Sequence, residues 1–312
     1  MTEVTCQQTL QAAIGSGLER LDAQLLLLHA MGKSAIDRAW LLAHDDDELD
    51  AATVHRFDHF RRRQMSGEPL AYILGYKDFY GLRLKVDARV LVPRADTEVL
   101  VDWALQVLRA TSLASHPQVL DLGTGSGAVA LAIAAVKKAE MSLNRATDTA
   151  QAPQSEGTGA AILAIDASSD ALAVATNNAQ ALGLALEFLQ SNWFSKVNGR
   201  FHVIVSNPPY IPQADPHLAA LSHEPVEALT GGSDGLEDIR KIIDNAPQHL
   251  ESAGWLLLEH GYNQAASVRH LLVERGFKQV QSKLDLAGIE RCSGGQWKIE
   301  RPHTQPPAKT AG

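Results

Sequence analysis

Val119-Leu120-Asp121-Leu122-Gly123-Thr124-Gly125-Ser126-Gly127 sets glycines at every second position directly after an apolar run, with the helical stretch Ala128 to Lys138 following. Small residues at a strand-to-helix junction let the turn tighten and let backbone N–H groups approach a ligand. By itself the pattern fits a dinucleotide site, a methyl-donor site or a plain tight turn. The residues downstream decide the architecture. Strands are predicted over Ile162–Asp166, Leu184–Leu189, Phe201–Ser206 and Trp255–Glu259, alternating with helices over Ser169–Leu182, Leu236–Leu250 and Asn263–Arg275. Lys278–Lys283 and Trp297–Arg301 read as a terminal antiparallel pair, with Gly294-Gly295-Gln296 as the turn between strands. Strands separated by helices predict an α/β fold, a mostly parallel sheet covered on both faces.

Asp166, at the end of the second strand, can accept both hydroxyls of a ribose, which favours a nucleoside cofactor over a structural turn. A pyrophosphate would sit near a helix N-terminus, but Asp121 is unfriendly to that anion. It suits a sulfonium or an amino group instead, which tilts the choice toward S-adenosyl-L-methionine. Asn192-Trp193-Phe194 lies just past the third strand. An aromatic ring there can cover an adenine while Asn192 meets its edge; equally, the rings can close the core beneath a loop.

A second polar segment, Asn207-Pro208-Pro209-Tyr210, follows the strand Phe201–Ser206. Asn207 precedes a proline and is biased toward extended geometry. Its side-chain oxygen can accept an amide or amino proton, and the rigid Pro208 carbonyl offers a second acceptor beside it. Two acceptors converging on one NH2 orient its nitrogen, and Tyr210 offers a face for a planar group. Asn-Pro-Pro is also an ordinary turn sequence. Its position beyond the carboxyl end of a strand, in a sheet that already carries a glycine loop, favours a site.

Upstream, residues 1–75 read as short helices, with Leu18, Leu21, Leu25, Leu26 and Leu28 at helical spacing, a cap at Ser34 and a helix over Leu49–Met65. Residues 76–92 read as a β-hairpin linker meeting between Phe79 and Leu82, and 93–301 as the α/β domain. Pro93-Arg94-Ala95-Asp96-Thr97-Glu98 opens the next helix, with Asp96 or Thr97 as its cap. Ala139–Gly159 is polar and nonperiodic and reads as a disordered insertion; 302–312 reads as a disordered tail.

A hydrophobic content of 45% with a net charge of -8 describes a soluble globular chain and argues against one that wraps a long polyanion. No segment has the length of a membrane span and no secretory signal is visible, so a cytoplasmic location is expected. Cys6 and Cys292 form no CxxC, and neither a disulfide nor a metal site is expected. Arg61-Arg62-Arg63, with Arg56 and Lys77, is either a solvated helix face or a docking surface.

With Gly67-Glu68-Pro69-Leu70-Ala71-Tyr72-Ile73-Leu74-Gly75, Phe79-Tyr80-Gly81, Val90 to Glu98, Asp121 to Gly127, Ser206 to Ile211 and Glu224-Pro225, the chain resembles the PrmC/HemK family over nearly its whole length. These are class I methyltransferases acting on a glutamine of bacterial peptide chain release factors. The resemblance implies a Rossmann-like, mostly parallel seven-stranded sheet behind an N-terminal helical bundle and a hairpin. It implies S-adenosyl-L-methionine as donor and S-adenosyl-L-homocysteine as product. It assigns Asp121, Gly123, Thr124, Gly125, Gly127, Asp166, Asn192, Trp193 and Asn207 to the cofactor. Asn207, Pro208, Pro209 and Tyr210 go to the substrate amide, with Asn207, Pro208 and Tyr210 catalytic and Arg94, Thr97 and Glu98 lining the site. The helical domain and hairpin would dock a class I release factor and present the glutamine of its Gly-Gly-Gln loop; a monomer without a stable nucleic-acid partner is expected. Asn192 stands where the family usually has aspartate, and Ala95 where proline is common. Asn-Pro-Pro-Tyr also occurs in adenine-N6 methyltransferases, which therefore stay a rival, as does a noncatalytic binding module.

Overall fold

The structure, a computed structural model, describes residues 4–110, 117–147 and 161–298. Helices α1 (Cys6–Gly15), α2 (Arg20–Ala30), α3 (Arg38–Ala43), α4 (Ala51–Met65) and α5 (Leu70–Leu74) open the chain, with the short strands β1 (Val4–Thr5) and β2 (Glu48–Leu49) paired antiparallel. Thr5 and Gln8 form a reciprocal capping box at α1, and Asp50 caps α4 through the Thr53 N–H. That cap is why α4 begins at Ala51 and leaves Leu49 to β2. Ser34 precedes a 3-10 turn, Ala35–Asp37, from which α3 continues. Leu26, Leu27, Leu28, Leu41, Phe57 and Ile73 form this region's own core, while Leu21 faces solvent. The arginines of α4 are largely spent internally: Arg61 and Arg62 pair with Asp58, Arg63 with Glu68, and Arg56 with the Ala30 carbonyl.

Strands β3 (Tyr76–Phe79) and β4 (Leu82–Lys85) form the hairpin. Its two-residue turn holds Tyr80 at φ 49° and Gly81 at φ 74°, the left-handed pair that matches strand twist. Glycine adopts this freely, whereas Tyr80 is held there by a bond from its N–H to Glu98 Oε1 (2.8 Å) and from its hydroxyl to Asp102 (2.6 Å).

Helix α6 (Glu98–Ala110) leads into the α/β region: β5 (Gln118–Leu122), α7 (Ala128–Thr147), β6 (Ala161–Asp166), α8 (Ser169–Leu182), β7 (Glu187–Gln190), β8 (Phe201–Ser206), α9 (Glu237–Asn245), β9 (Leu250–Glu259), α10 (Ala265–Arg275), β10 (Lys278–Leu284) and β11 (Glu290–Gln296). The sheet order is β10-β11-β9-β8-β5-β6-β7, parallel from β9 through β7, with β11 antiparallel to both its neighbours. This is the class I methyltransferase sheet, and both faces are buried. Val119, Val203, Val205 and Leu257 pack with α6 and α7, whereas Leu120, Leu122, Ile204, Leu256 and Leu258 pack with α9 and α10. The chain order reverses between β5 and β8, so the loops after these strands flank a crevice at their carboxyl ends.

Four expectations are corrected. The second terminal strand is Glu290–Gln296, not Trp297–Arg301, of which Ile299 to Arg301 lie outside the described residues. Gly294-Gly295-Gln296 is therefore strand rather than turn. A Cβ on Gly294 would come within 2.5 Å of the Leu256 carbonyl and 2.9 Å of Trp103, so glycine is required by close packing instead of by a bend. Residues 139–147 continue α7; 148–159 and 302–312 lie outside the described residues. Leu184 ends α8 rather than starting β7. With Gly183 left-handed, the Leu184 N–H returns to the Ala179 carbonyl (2.9 Å) and closes the helix.

Candidate active site

A cavity of about 570 Å³ opens at the carboxyl ends of β5, β6, β7 and β8. Its walls include Asp121, Gly123, Thr124 and Gly125 from the glycine loop, Asp166, Asn192, Trp193 and Asn207 from the later strand ends, and Arg94 and Thr97 from the segment before α6. These residues, scattered through the sequence, are brought together because parallel strands deliver all their carboxyl ends to one edge. Gly127, Pro208, Tyr210, Phe194 and Glu98 do not line it. Gly127, at φ 85°, permits close packing of the loop on α7 and α8: a Cβ there would lie 2.8 Å from Leu131. Phe194 stacks on His249, and Glu98 serves the hairpin turn, not the cavity wall the resemblance implied.

Asp121 is 1% exposed and has no cationic partner among the described residues. Burial pushes its carboxyl up to about 6, although the Thr124 hydroxyl donates to Oδ2 at 2.6 Å and opposes the shift. A buried carboxylate left to itself beside an open cavity suits a ligand bearing a cationic end. Gly125, at φ 56°, has nothing within 4 Å of where a Cβ would stand. Asp166, raised by burial, ties the loop through Gly125 N–H (2.9 Å) and the Ser168 N–H (2.9 Å). Two carboxylates, a half-buried glycine backbone and an indole at one cavity thus fit the donor S-adenosyl-L-methionine. Trp193 holds a left-handed backbone, φ 47°, while its indole donates to Asp238 on α9 (3.2 Å) and its ring lies over Gly123. Trp193 thus both packs against the core and lines the cavity.

The Asn207 Nδ2 donates to the Thr97 hydroxyl at 3.3 Å. With its donor end held, the amide leaves Oδ1 as the acceptor for a ligand group. Pro208 is buried, fixing the backbone beside it. Tyr210 packs on the core side of the sheet; its hydroxyl reaches toward Glu259 (3.4 Å) and is pushed up by burial. Neither Thr97 nor Asp96 caps α6 with its side chain; Asp96 instead pairs with Arg291 (3.1 Å). Arg94 pairs with the buried Glu224, which also takes the Val92 N–H (3.1 Å). Two distant motifs, Pro-Arg-x-x-Thr-Glu and Glu-Pro, therefore meet at the cavity mouth.

Sequence reasoning missed the glycines behind the Asn207–Tyr210 loop. A Cβ on Gly231 would stand 2.4 Å from the Pro209 carbonyl, and one on Gly235, at φ 74°, 2.2 Å from the Tyr210 carbonyl. Gly235→Ala is expected to displace the Asn207–Tyr210 loop and lower kcat roughly a hundredfold, as misplacement by about 1 Å does; donor binding by calorimetry should change little. The Gly-Gly-Ser-Asp-Gly cluster was a legible turn signal, though its contact was not. Asn178 was also missed: it bonds Lys85 N–H (2.8 Å) and the Ser126 carbonyl (2.9 Å), tying the hairpin to the glycine loop. Only its lone polarity on an apolar helix face marked it.

The PrmC N-terminal domain family matches residues 5–75, and a methyltransferase domain family matches residues 113–301. The release factor glutamine methyltransferase of Pseudomonas aeruginosa is 46% identical over 282 residues, covering 89% of this chain and 92% of its own length. That of Bordetella pertussis is 43% identical over 283 residues, covering 89% and 95%. Among solved structures, the release factor-specific protein-(glutamine-N5) methyltransferase of Alicyclobacillus acidocaldarius is 29% identical, with a TM-score of 0.38, covering 69% of this chain and 100% of that one. The extent and level of identity to the curated relatives place the assignment beyond fold likeness: the chain belongs to the release factor glutamine methyltransferase family.

Proposed function

We propose that this protein transfers the methyl group of S-adenosyl-L-methionine to the side-chain amide nitrogen, N5, of the glutamine in the Gly-Gly-Gln motif of bacterial class I release factors, leaving S-adenosyl-L-homocysteine. The observation that carries this reading is the Asn207 amide, its Nδ2 held by Thr97 at the cavity wall and its Oδ1 left to accept. When bound, the donor supplies a methyl carbon activated by a cationic sulfur. Asp121, Asp166, Asn192 and Trp193 hold it, with Asp121 beside its cationic end. The Asn207 Oδ1 and the Pro208 carbonyl take the two N–H protons of the substrate amide. Gripped from both sides, the nitrogen presents its lone pair in a fixed direction, which supplies the orientation a delocalised amide lacks. The two acceptors also favour the positive charge that develops on that nitrogen. Once bonded to carbon the nitrogen is acidic and releases a proton without a strong base.

Residues 1–75 and the hairpin 76–92 form the docking side for the release factor, with 93–301 as the catalytic domain, and the protein acts as a cytoplasmic monomer. No helix among the described residues is long and apolar enough to cross a membrane, in keeping with that location. Incubation with labelled donor and either an unmodified full-length release factor or an adenine-containing oligonucleotide separates the reading from its nearest rival. Label should appear on the release factor alone; label on the oligonucleotide alone supports the adenine-N6 alternative, and donor binding without any transfer supports the noncatalytic one.

A further inference from the structure

Several large apolar side chains stand in solvent at the edge of the sheet that carries the cavity. Leu284, which ends β10, is 58% exposed, and Tyr262, just past the end of β9, is 70% exposed. Leu286, in the turn between β10 and β11, is fully exposed. Strand β11 is antiparallel to both β9 and β10, so β10 ends at the same edge as β9. Strand β9 is parallel to β8, whose following loop carries Asn207. The apolar tip and the substrate loop therefore share one edge.

Exposed turns favour polar residues and glycine, yet Leu284-Asp285-Leu286-Ala287-Gly288-Ile289 sets apolar side chains around one acid. That acid is turned inward. Asp285 takes the N–H groups of Ala287 (2.9 Å) and Ile289 (2.8 Å) and the Nε of Arg291 (3.0 Å), while its own N–H donates to the Ile289 carbonyl (2.8 Å). The turn is thus fixed from within and presents Leu286 outward, a contact made ready before any partner arrives. Arg291 also ties the tip to the cavity. Its Nη2 pairs with Asp96 at 3.1 Å, in the turn between Arg94 and Thr97, and both of those residues line the cavity.

We propose that the tip Leu284–Ile289, together with Tyr262, is an apolar docking pad for the release factor, taking an apolar part of its surface beside the presented glutamine loop. The proposal rests on the reading of the cavity as the site for that glutamine, and adds to the helical side a second contact on the catalytic domain. In sheet order β10 stands three strands from β8, about 14 Å at the usual strand spacing. A standard protein interface covers about 800 Å² on each partner, a disc of roughly 16 Å radius. A protein footprint centred on a loop that enters the cavity at Asn207 therefore reaches the tip. The cations around the tip are already engaged: Arg291 with Asp96 and Asp285, Arg269 with Glu290 (2.6 Å), and Lys283 over the Trp103 ring (5.6 Å). A nucleic-acid backbone calls for free positive charge, so the pad suits an apolar protein surface.

The test is kcat and KM for full-length, unmodified class I release factor at saturating donor, with the wild type, Leu286→Ser, the double variant Leu286→Ser/Tyr262→Ser and Val273→Ser. Each replaced side chain is exposed, so wild-type Tm is expected throughout. Leu286→Ser should raise KM for the release factor about tenfold and the double variant about 30–100-fold, as for apolar side chains buried on docking. Their kcat should stay within about twofold, because the contact is made equally before and during transfer. Val273→Ser, exposed near the end of α10 toward the opposite edge of the sheet, should leave both constants unchanged. A double variant with wild-type KM overturns the pad, and so does a fall in kcat at unchanged KM. Sedimentation of the wild type and the double variant tests the other occupant: a dimer that the substitutions dissolve, at unchanged KM, assigns the face to a second copy of this chain and overturns the proposal. Absence of transfer by the wild type while it binds the donor removes the functional reading itself, and the pad with it.

Discussion

Asn207→Ala should lower kcat for release factor methylation by about a thousandfold while donor affinity stays within about threefold. In the proposed mechanism the side chain supplies one of two acceptors that fix the substrate nitrogen, and a single preorganised group at a developing charge is worth about 10²–10³ in kcat. Orientation adds to this, because an amide held by the Pro208 carbonyl alone can rotate its lone pair away from the methyl carbon. Asp121, Asp166 and Trp193, the proposed anchors of the donor, line the same cavity. The expected signature is therefore a fall in kcat and kcat/KM together, with donor Kd measured by calorimetry nearly unchanged. Equal loss of donor binding and turnover would instead make Asn207 a cofactor residue.

Asp121→Asn should show the reverse pattern, donor Kd weakened about 10–100-fold, the range for losing a charged partner. The variant keeps the shape and an oxygen for the Thr124 hydroxyl but removes the charge proposed to face the donor's cationic end. Because burial pushes the Asp121 carboxyl up to about 6, wild-type donor affinity should decline as pH falls through that value, whereas the variant's should be flat. Stability moves the other way. Asp121 rises from an ordinary 3.8 to about 6 in the fold, so the native state holds the proton more tightly than the unfolded chain. Ionising it costs stability as pH rises from about 4 to 6, and the cost persists above. Ligand-free Asp121→Asn should thus be more stable than wild type at pH 8, by about 2–3 kcal/mol, read as a higher Tm. A destabilised variant with unchanged donor affinity would show that the carboxylate serves the loop alone.

The succession of strands and helices and the two flanking loops were legible in the sequence because each rests on local pattern. The glycine spacing after Val119–Leu122, the alternation of apolar runs with helical segments, and Asn207 just past Phe201–Ser206 are all readable within a dozen residues. What escaped depends on long-range contact. Gly294 looked like a turn because a glycine pair is ordinary turn chemistry, and only the nearness of Leu256 and Trp103 reveals a strand. Gly231 and Gly235 support the backbone of Pro209 and Tyr210 from more than twenty residues away. Glu98 was grouped with Arg94 and Thr97 by the family resemblance, but its carboxylate is taken by the Tyr80 N–H of the hairpin turn. Glu259 carried a faint signal, an acid ending an otherwise apolar strand, whose burial beside the Tyr210 hydroxyl appears only in the fold.

The most direct measurement is mass-spectrometric localisation of the methyl group after incubating the protein and S-adenosyl-L-methionine with a full-length, unmodified class I release factor. One methyl on the amide nitrogen of the Gly-Gly-Gln glutamine, absent with Asn207→Ala, is the predicted result. A methyl on any other residue, or none there while calorimetry shows the donor bound, would contradict the assignment of the Asn207 site to that amide.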